Sequence, residues 1–238
     1  MKLFSLFSLV ATAGVLLISN SEGLAAVLKA SSRLSGFSAD SSHYIYLESY
    51  RNPITTVPTA KIQIVKTAHN SCVSNGCLVT DYDNSASDLT NKEAEDDLLA
   101  KTRRIRQQLG LNQLKVGLKL PVISRLVEED GTEIVQVQVS TEKEPLEIRL
   151  EQDYIPSILS GGTSNVDRAS MRLVTNYDYR QLTVGDLEDY RETVRKYSIR
   201  EVRLSPNRKN IVVLLDMYKA TYNASWQTTL VQSFPIKD

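Results

Sequence analysis

Apolar and polar residues alternate along much of the chain, as they do in antiparallel β-strands that have one face in water. The cleanest alternation covers residues 61–66, 135–139 and 146–150. Further strands are expected at residues 78–79, 116–122, 169–175, 179–182 and 230–231. Turn-forming residues lie between these segments, as Asp130 and Gly131 do. The pattern therefore predicts a fold that consists mainly of antiparallel sheet.

One short pattern occurs twice, once near each end of the chain. It reads Phe37-Ser38-Ala39-Asp40 in the first copy and Leu204-Ser205-Pro206-Asn207 in the second. In both copies polar residues and then a β-branched and aromatic strand follow. Proline presets φ for a turn, and Asp or Asn can bond its own backbone two residues further on. Both copies therefore predict a strand–turn–strand hairpin.

Two helices are expected among the strands. Thr90 and Glu93 match a capping box, in which each side chain bonds the backbone amide of the other residue, and Gly110 is a natural stop. The apolar face of this helix consists of Ala94, Leu98, Ile105 and Leu109. A second helix is predicted from about Asp186, because apolar residues recur three or four positions apart at Leu187, Tyr190, Val194 and Tyr197.

The two cysteines, Cys72 and Cys77, enclose the turn signal Asn75-Gly76. This spacing predicts a disulfide that holds the tip of a hairpin. Such a bond requires an oxidising compartment.

The amino terminus has the pattern of an export signal. Lys2 supplies a positive charge, residues 3–18 are mostly apolar, and Gly23 and Ala25 are small enough for a signal peptidase. We expect cleavage after Ala25, or after Ala26, and the alternative is retention as a membrane anchor. No second apolar stretch of spanning length follows, so residues 26–238 are predicted to form a single β-rich domain, secreted or periplasmic.

Composition excludes several classes of function. The chain has 28 basic and 28 acidic residues, so there is no general electrostatic reason to bind nucleic acid. The two histidines, His43 and His69, are too few for a histidine-rich metal centre. Neither a nucleophile elbow nor a phosphate-binding loop is present. The sequence therefore predicts no catalytic residue, no metal site and no cofactor.

Aromatic residues close to the two repeated hairpins are the best candidates for a binding site. If the hairpins lie side by side, these residues could form a surface for a sugar, a peptide or a partner protein. The alternative is that they pack in the core and on the faces of the sheets. The set consists of Tyr44, Tyr46, Tyr50, Tyr218, Tyr222 and Trp226.

The export signal and four segments spread over the whole mature chain resemble those of a known family: residues 36–40 with the Tyr-rich strand that follows, 60–65, the helix 93–109, and 197–214. They are similar to segments of a bacterial family of predicted secreted proteins that contain a domain of unknown function. The chain departs from that family after Tyr50, where it lacks a Gly- and acid-rich stretch. The resemblance implies no activity, because none is established for the family.

The hairpin motif also resembles the blade motif of periplasmic β-propellers. Two copies are fewer than the four blades that a propeller needs, so we expect two half-blades that close a sheet between the chain termini.

Together these patterns predict an α+β fold, mostly antiparallel β with about two packed helices and with terminal hairpins resembling β-propeller half-blades. The favoured function is an exported, non-enzymatic protein that binds an unknown protein or small molecule in the cell envelope. An envelope hydrolase with dispersed acidic residues is the alternative, and a deep pocket with two close acids would support it. An assembly factor is a third hypothesis, which an exposed apolar patch without a pocket would support.

Overall fold

The computed structural model describes residues 27–52, 55–156, 166–220 and 225–236. The predicted signal peptide at 1–25 and the candidate residue Tyr222 lie outside these ranges. Within them, no helix has both the length and the apolar character needed to cross a bilayer.

Strands dominate the described residues, as predicted. They are β1 (Val27–Lys29), β2 (Ser31–Phe37), β3 (His43–Arg51), β4 (Pro58–Lys66), β5 (Ser71–Val79), β6 (Leu118–Lys119), β7 (Val122–Val127), β8 (Glu133–Val137), β9 (Leu146–Pro156), β10 (Val166–Tyr177), β11 (Arg180–Glu192), β12 (Val194–Leu204), β13 (Asn210–Ala220) and β14 (Ser225–Pro235). The α-helices are α1 (Asn91–Lys101) and α2 (Arg103–Gln108), and Asn84–Asp88 forms a 3-10 helix.

The strands form three sheets. The helix-covered sheet has the order β2-β3-β4-β5, the central sheet β1-β14-β13-β12-β6, and the meander sheet β11-β10-β9-β8-β7. All pairs are antiparallel except β1 with β14, which is parallel. The first and last described strands are therefore neighbours in one sheet.

Alternate residues of the strands fill three separate apolar layers. On β3, Ile45 and Leu47 pack with Leu98 of α1, whereas Tyr44 and Tyr46 face the other way and pack with Val212 and other residues of the central sheet. The largest layer lies between the central and meander sheets. The helix-covered, central and meander sheets therefore stack in that order, with α1 on the outside.

The first predicted helix is confirmed, but it breaks at Thr102. Thr90 Oγ1 accepts from the Glu93 amide at 3.2 Å and the Glu93 carboxylate accepts from the Thr90 amide at 2.7 Å, which completes the capping box. Thr102 is fully buried, and its hydroxyl donates to the carbonyl of Leu98 at 2.7 Å. The same carbonyl also accepts from the Thr102 amide at 3.0 Å, and such back-bonding by threonine often bends a helix. Gly110 follows with φ +65, as a helix stop requires.

The second predicted helix is wrong, because residues 186–197 lie in β11 and β12. A turn at Thr193, with φ 64, joins the two strands. The pairing of β12 with β13 shifts by one residue between Val194 and Lys196. This bulge turns Val194 and Tyr197 toward the same core although three positions separate them. Because of the bulge, the three-residue spacing of Val194 and Tyr197 matches the spacing expected of a helical face.

The two repeated turns have the same hydrogen bonds. In the first, Ser38 Oγ donates to Asp40 at 2.6 Å and accepts from the His43 amide at 3.0 Å. In the second, Ser205 Oγ bonds Asn207 at 2.7 Å and accepts from the Asn210 amide at 2.9 Å. The prediction of two hairpins is confirmed.

The two hairpins touch but belong to different sheets. Asn207 Nδ2 donates to the carbonyl of Asp40 at 3.1 Å, so their turns are neighbours. The first hairpin, however, lies in the helix-covered sheet and the second in the central sheet. The sheet between the termini is closed by β1 and β14 instead. The resemblance to propeller half-blades is not confirmed.

The predicted disulfide forms, but its position is not a hairpin tip. Cys72 and Cys77 both lie on β5, opposite Val65 and Gln63 of β4 respectively. The four residues between them loop out of register against a single position of β4. The β4–β5 turn itself lies before Ser71. The bond therefore fastens a bulge on the edge strand of the helix-covered sheet, a device that interrupts a regular exposed edge.

Candidate binding site at the tip of the β10–β11 hairpin

The predicted aromatic surface is wrong for Tyr44 and Tyr46, which lie between the helix-covered and central sheets. Tyr44 is 0% exposed, and its ring packs edge-on against Phe37 with the ring centroids 4.8 Å apart. Burial raises the pKa of Tyr44 to about 12. The Tyr46 hydroxyl accepts from Arg200 at 2.9 Å. For these two residues the alternative expectation, packing in the core, is the one that the structure shows.

Two other members of the predicted set do meet. Tyr50 and Trp226 pack edge to face, with the ring centroids 4.7 Å apart. Tyr218 lies on β13 and is partly buried, like Tyr50 and Trp226. Among the described members of the set, the structure thus yields one aromatic pair instead of a continuous surface.

A polar seam joins the helix-covered sheet to β14. The partner strand β1 pairs with β14 only at residues 225–227. Beyond that point, three side-chain oxygens accept from alternate backbone amides of β14: Glu48 from Thr229 at 2.8 Å, Gln63 from Val231 at 3.2 Å and Asn70 from Ser233 at 2.8 Å. These side chains bond amides that an adjacent strand would otherwise bond.

The seam contains the clearest burial effects on charged groups. Burial raises the pKa of the Glu48 carboxyl, and burial lowers the pKa of Lys61 to about 8. Both oxygens of Glu48 are occupied by Thr229, and Lys61 Nζ donates to the Thr229 carbonyl at 2.9 Å. Glu48 is 1% exposed and lines none of the four cavities described below. The geometry makes this cluster structural.

A row of polar side chains crosses all five strands of the meander sheet. The strand register places these residues side by side: Ser124, Gln136, Glu147, Asn176 and Gln181. Three hydrogen bonds link the first four, at 3.0, 3.3 and 3.2 Å. Their neighbours along the strands, such as Val135 and Ile148, are buried against the central sheet, so the row occupies the opposite face.

The row ends beside a strained turn that displays a tyrosine. Tyr177 pairs with Arg180, so only Asp178 and Tyr179 connect β10 to β11. Both have positive φ, 52° and 59°, as a type I′ turn requires. Glycine is the usual residue at the second of these positions, and a side chain there costs about 1–2 kcal/mol. Tyr179 is nevertheless 100% exposed, so packing does not explain its presence.

Two cavities meet at this turn. The larger, of about 530 Å³, is lined by Gln136, Glu147, Asn176, Gln181, Tyr177 and Tyr179, among others. The smaller, of about 320 Å³, is mostly apolar and opens into the layer between the central and meander sheets at Leu146, Leu182, Phe234 and Ile236. Tyr177, Arg180 and Gln181 line both. Both volumes lie in the range of small-molecule sites.

Acidic groups outnumber basic ones around the larger cavity. Its lining contains Glu144, Glu147 and Asp178 but only one cation, Arg180. Lys143, just outside the lining, bonds Asp178 at 3.1 Å and lies 5.7 Å from the centre of the Tyr177 ring. The side chains of Gln181 and Arg180 make no hydrogen bond to another residue within the described ranges. The cavity therefore offers unused donors in a slightly negative setting.

A third cavity, of about 360 Å³, lies between the two repeated turns. Asp40, His43, His69 and Asn207 contribute to its wall. Hydrogen bonds from Ser38 and Ser42 lower the pKa of Asp40 to about 2, and burial lowers the pKa of His43. Because the Asp40 carboxylate is already occupied by these bonds, this cavity offers a ligand fewer free polar groups than the cavity of about 530 Å³. A fourth cavity, of about 260 Å³, adjoins it at His69.

No group of three or more His, Cys, Asp or Glu side chains suited to a metal ion occurs in the part of the chain that the structure describes.

Sequence reasoning missed the site at this turn. It predicted the strands on both sides and a polar turn near residues 176–178, but it did not single out Tyr179. The available signal was a tyrosine where a two-residue hairpin turn prefers glycine. The polar row could not be found, because its members come together only through the register of five strands.

Comparisons with protein families, with curated proteins and with solved structures find no match to this chain.

Proposed function

We propose that this chain is an exported, non-enzymatic protein that binds its ligand in the cavity at the β10–β11 tip. The exposed Tyr179 supports this proposal most strongly, because it keeps a large aromatic ring in water at a backbone position that disfavours it. Strain of this kind concentrates at functional sites. The cavity beside the ring has an unused amide and an unused guanidinium to orient a ligand.

The export part of the proposal rests on the first 25 residues, which have the charge and apolar pattern of a signal peptide. The disulfide is in keeping with an oxidising compartment. Intact mass measurement of the protein from the envelope fraction of its host would give the cleavage site. A chain that begins at residue 26 or 27 is expected, and an uncleaved chain would contradict cleavage. Membership of the secreted family and the resemblance of the hairpins to half-blades remain predictions.

The binding part is tested by exchanging Tyr179 for glycine. Tyr179→Gly removes the ring and relieves the backbone, so we expect stability to rise by about 0.5–1 kcal/mol while ligand affinity falls. The ligand is first identified by native mass spectrometry of the purified envelope protein. Binding to the variant is then measured by calorimetry, and stability by urea denaturation.

The control is Thr193→Gly. Thr193 also has positive φ, 64°, but it lies in the β11–β12 turn and outside the lining of the cavity. We expect the same gain in stability with unchanged affinity. A Tyr179→Gly protein that binds as tightly as the wild type would refute the proposed site.

An assembly role is the second candidate, because β7 exposes apolar side chains at the edge of the meander sheet. Ile123, Leu126 and Val127 are 52%, 58% and 54% exposed. Isolated apolar side chains are common on surfaces, whereas a cluster on an edge strand is typical of a contact with another protein. Leu126→Asp should release a specifically bound envelope protein if this role is correct, and should leave ligand binding at Tyr179 unchanged.

A further inference from the structure

We propose that the ligand of this site is a neutral glycan that lies across the strands of the meander sheet. The inference deepens the proposed function and rests on it. Its support is the alignment of the polar row with the exposed ring of Tyr179, which neither feature alone would provide.

The row matches the hydrogen-bonding needs of sugar hydroxyls. Each hydroxyl is both a donor and an acceptor, and amide side chains supply both kinds of group while a carboxylate accepts. Gln136, Asn176 and Gln181 supply the amides and Glu147 the carboxylate. Asn176 and Gln136 both donate to Glu147, at 3.2 and 3.3 Å, which holds their side chains in place before a ligand arrives. Groups fixed in advance lower the entropy cost of binding.

The ring of Tyr179 supplies the apolar contact that a sugar also needs. The C–H face of a pyranose packs on an aromatic ring, and tyrosine combines such a face with a polar tip. Tyr177, one pair back along the hairpin, lines the same cavity. A sugar over Tyr179 would thus lie next to the end of the row at Gln181.

The dimensions favour a chain of sugars over a single unit. From Gln136 to Gln181 the row crosses four strands, a distance of about 14 Å at the usual strand separation. The separation of two neighbouring strands is close to the length of one sugar unit in an extended glycan. Successive sugars would therefore lie over successive strands. A single sugar would contact only part of the row.

The charges favour a neutral glycan over an acidic one. Glu144, Glu147 and Asp178 line the cavity, and the one cation in its lining is Arg180. A sulfated or uronic glycan would place its anions near these carboxylates, which is unfavourable. Arg180 can still donate to hydroxyls.

The test is calorimetric titration of the mature protein with cellohexaose, chitohexaose, maltohexaose and a heparin hexasaccharide. We expect at least one of the three neutral probes to bind and the heparin probe to bind about tenfold more weakly than that one. Gln181→Ala should weaken binding about fivefold or more. Thr183→Ala, on the same face of β11 one row further along, should change affinity less than about twofold.

Three results would overturn the glycan. They are absence of binding by all three neutral probes up to about 1 mM, tighter binding of the heparin probe, and unchanged affinity in Gln181→Ala. Decanoate is titrated in parallel, because the apolar cavity beside Leu182 could hold an alkyl chain. If decanoate or another non-glycan binds in a Tyr179-dependent way while the neutral probes do not, the glycan is wrong and the proposed binding site stands. If Tyr179→Gly affects no ligand at all, the site itself is wrong.

Discussion

Asp40 shows how a single residue in a repeated turn makes stability depend on pH. Its carboxylate accepts from Ser38 Oγ at 2.6 Å and from the amide and hydroxyl of Ser42 at 3.1 and 2.8 Å. These bonds lower the pKa of Asp40 from 3.8 to about 2. The unfolded chain therefore binds this proton first as pH falls. The stabilisation is complete above pH 3.8 and is lost as pH falls toward 2.

Asp40→Asn is expected to remove this acid sensitivity at little cost at neutral pH. The second turn has Asn207 at the same place, where it accepts from Ser205 Oγ and from the amide two residues further on, so asparagine fits the geometry. Urea denaturation at about pH 7 should give stabilities within about 0.5 kcal/mol of each other, and from about pH 4 to pH 2 the wild type should lose more than the variant. Asp40→Ala, which removes the acceptor, should cost about 1 kcal/mol at neutral pH. Equal acid losses in wild type and Asp40→Asn would contradict the assignment.

At the same scale, the sequence was informative where a residue acts on its own neighbours. The capping box of Thr90, the stop at Gly110 and the two repeated turns depend on bonds within a few positions, and all are confirmed. The positions of Tyr44 and Tyr46 were not predictable in the same way. Their strand is covered on both faces, and nothing local to β3 reveals a second covering layer.

Among the elements, β14 depends on side chains of another sheet for its open edge. Glu48 accepts from both the amide and the hydroxyl of Thr229. Glu48 is only 1% exposed, so water does not reach these groups. Removing the acceptor would leave the buried Thr229 amide without a partner. The seam should therefore tolerate substitution poorly.

Glu48→Ala is expected to lower the free energy of unfolding by about 2 kcal/mol or more. Glu128→Ala is the control, since Glu128 is also a hydrogen-bonded glutamate, paired with Arg149 at 2.6 Å, but its side chain is 35% exposed and its loss should cost less than about 0.5 kcal/mol. Urea denaturation of both variants at neutral pH gives the comparison. If the two costs are equal, the seam is not important for stability.

The failure of the second helix is also an effect at the scale of elements. Residues 186–197 contain the spacing of a helical face, yet the pairing of β11 with β10 and of β12 with β13 decides their structure. A bulge at Val194–Lys196 shifts the strand alternation by one, and no feature of one segment alone predicts a bulge set by its partner. For the same reason the polar row could not be predicted from sequence, because the pairing of five strands brings its residues together.

In the whole molecule, β14 holds the layers together. It pairs with β13 along its length and with β1 at its start, bonds side chains of β3 and β4, and adds Phe234 to the core against the meander sheet. All three sheets are therefore connected through β14: the central sheet contains it, the helix-covered sheet bonds it, and the meander sheet packs against the core that contains Phe234.

A chain that ends at residue 224 is thus expected not to reach a cooperative fold. Deletion of residues 237–238 is the control and should leave stability unchanged, because it removes none of these contacts. Circular dichroism with thermal denaturation distinguishes the two. A truncated chain with a sharp transition close to that of the full chain would show that the other strands suffice.

The parallel pair of β1 and β14 has a consequence for the timing of synthesis. The first described strand, β1, has no strand partner until β14 has been made. Glu48, Gln63 and Asn70 of the helix-covered sheet likewise lack their β14 partners until that strand has been made. These contacts therefore form only after β14 has been made, near the end of synthesis. A polypeptide that must be threaded through a narrow pore before it folds would gain from that delay.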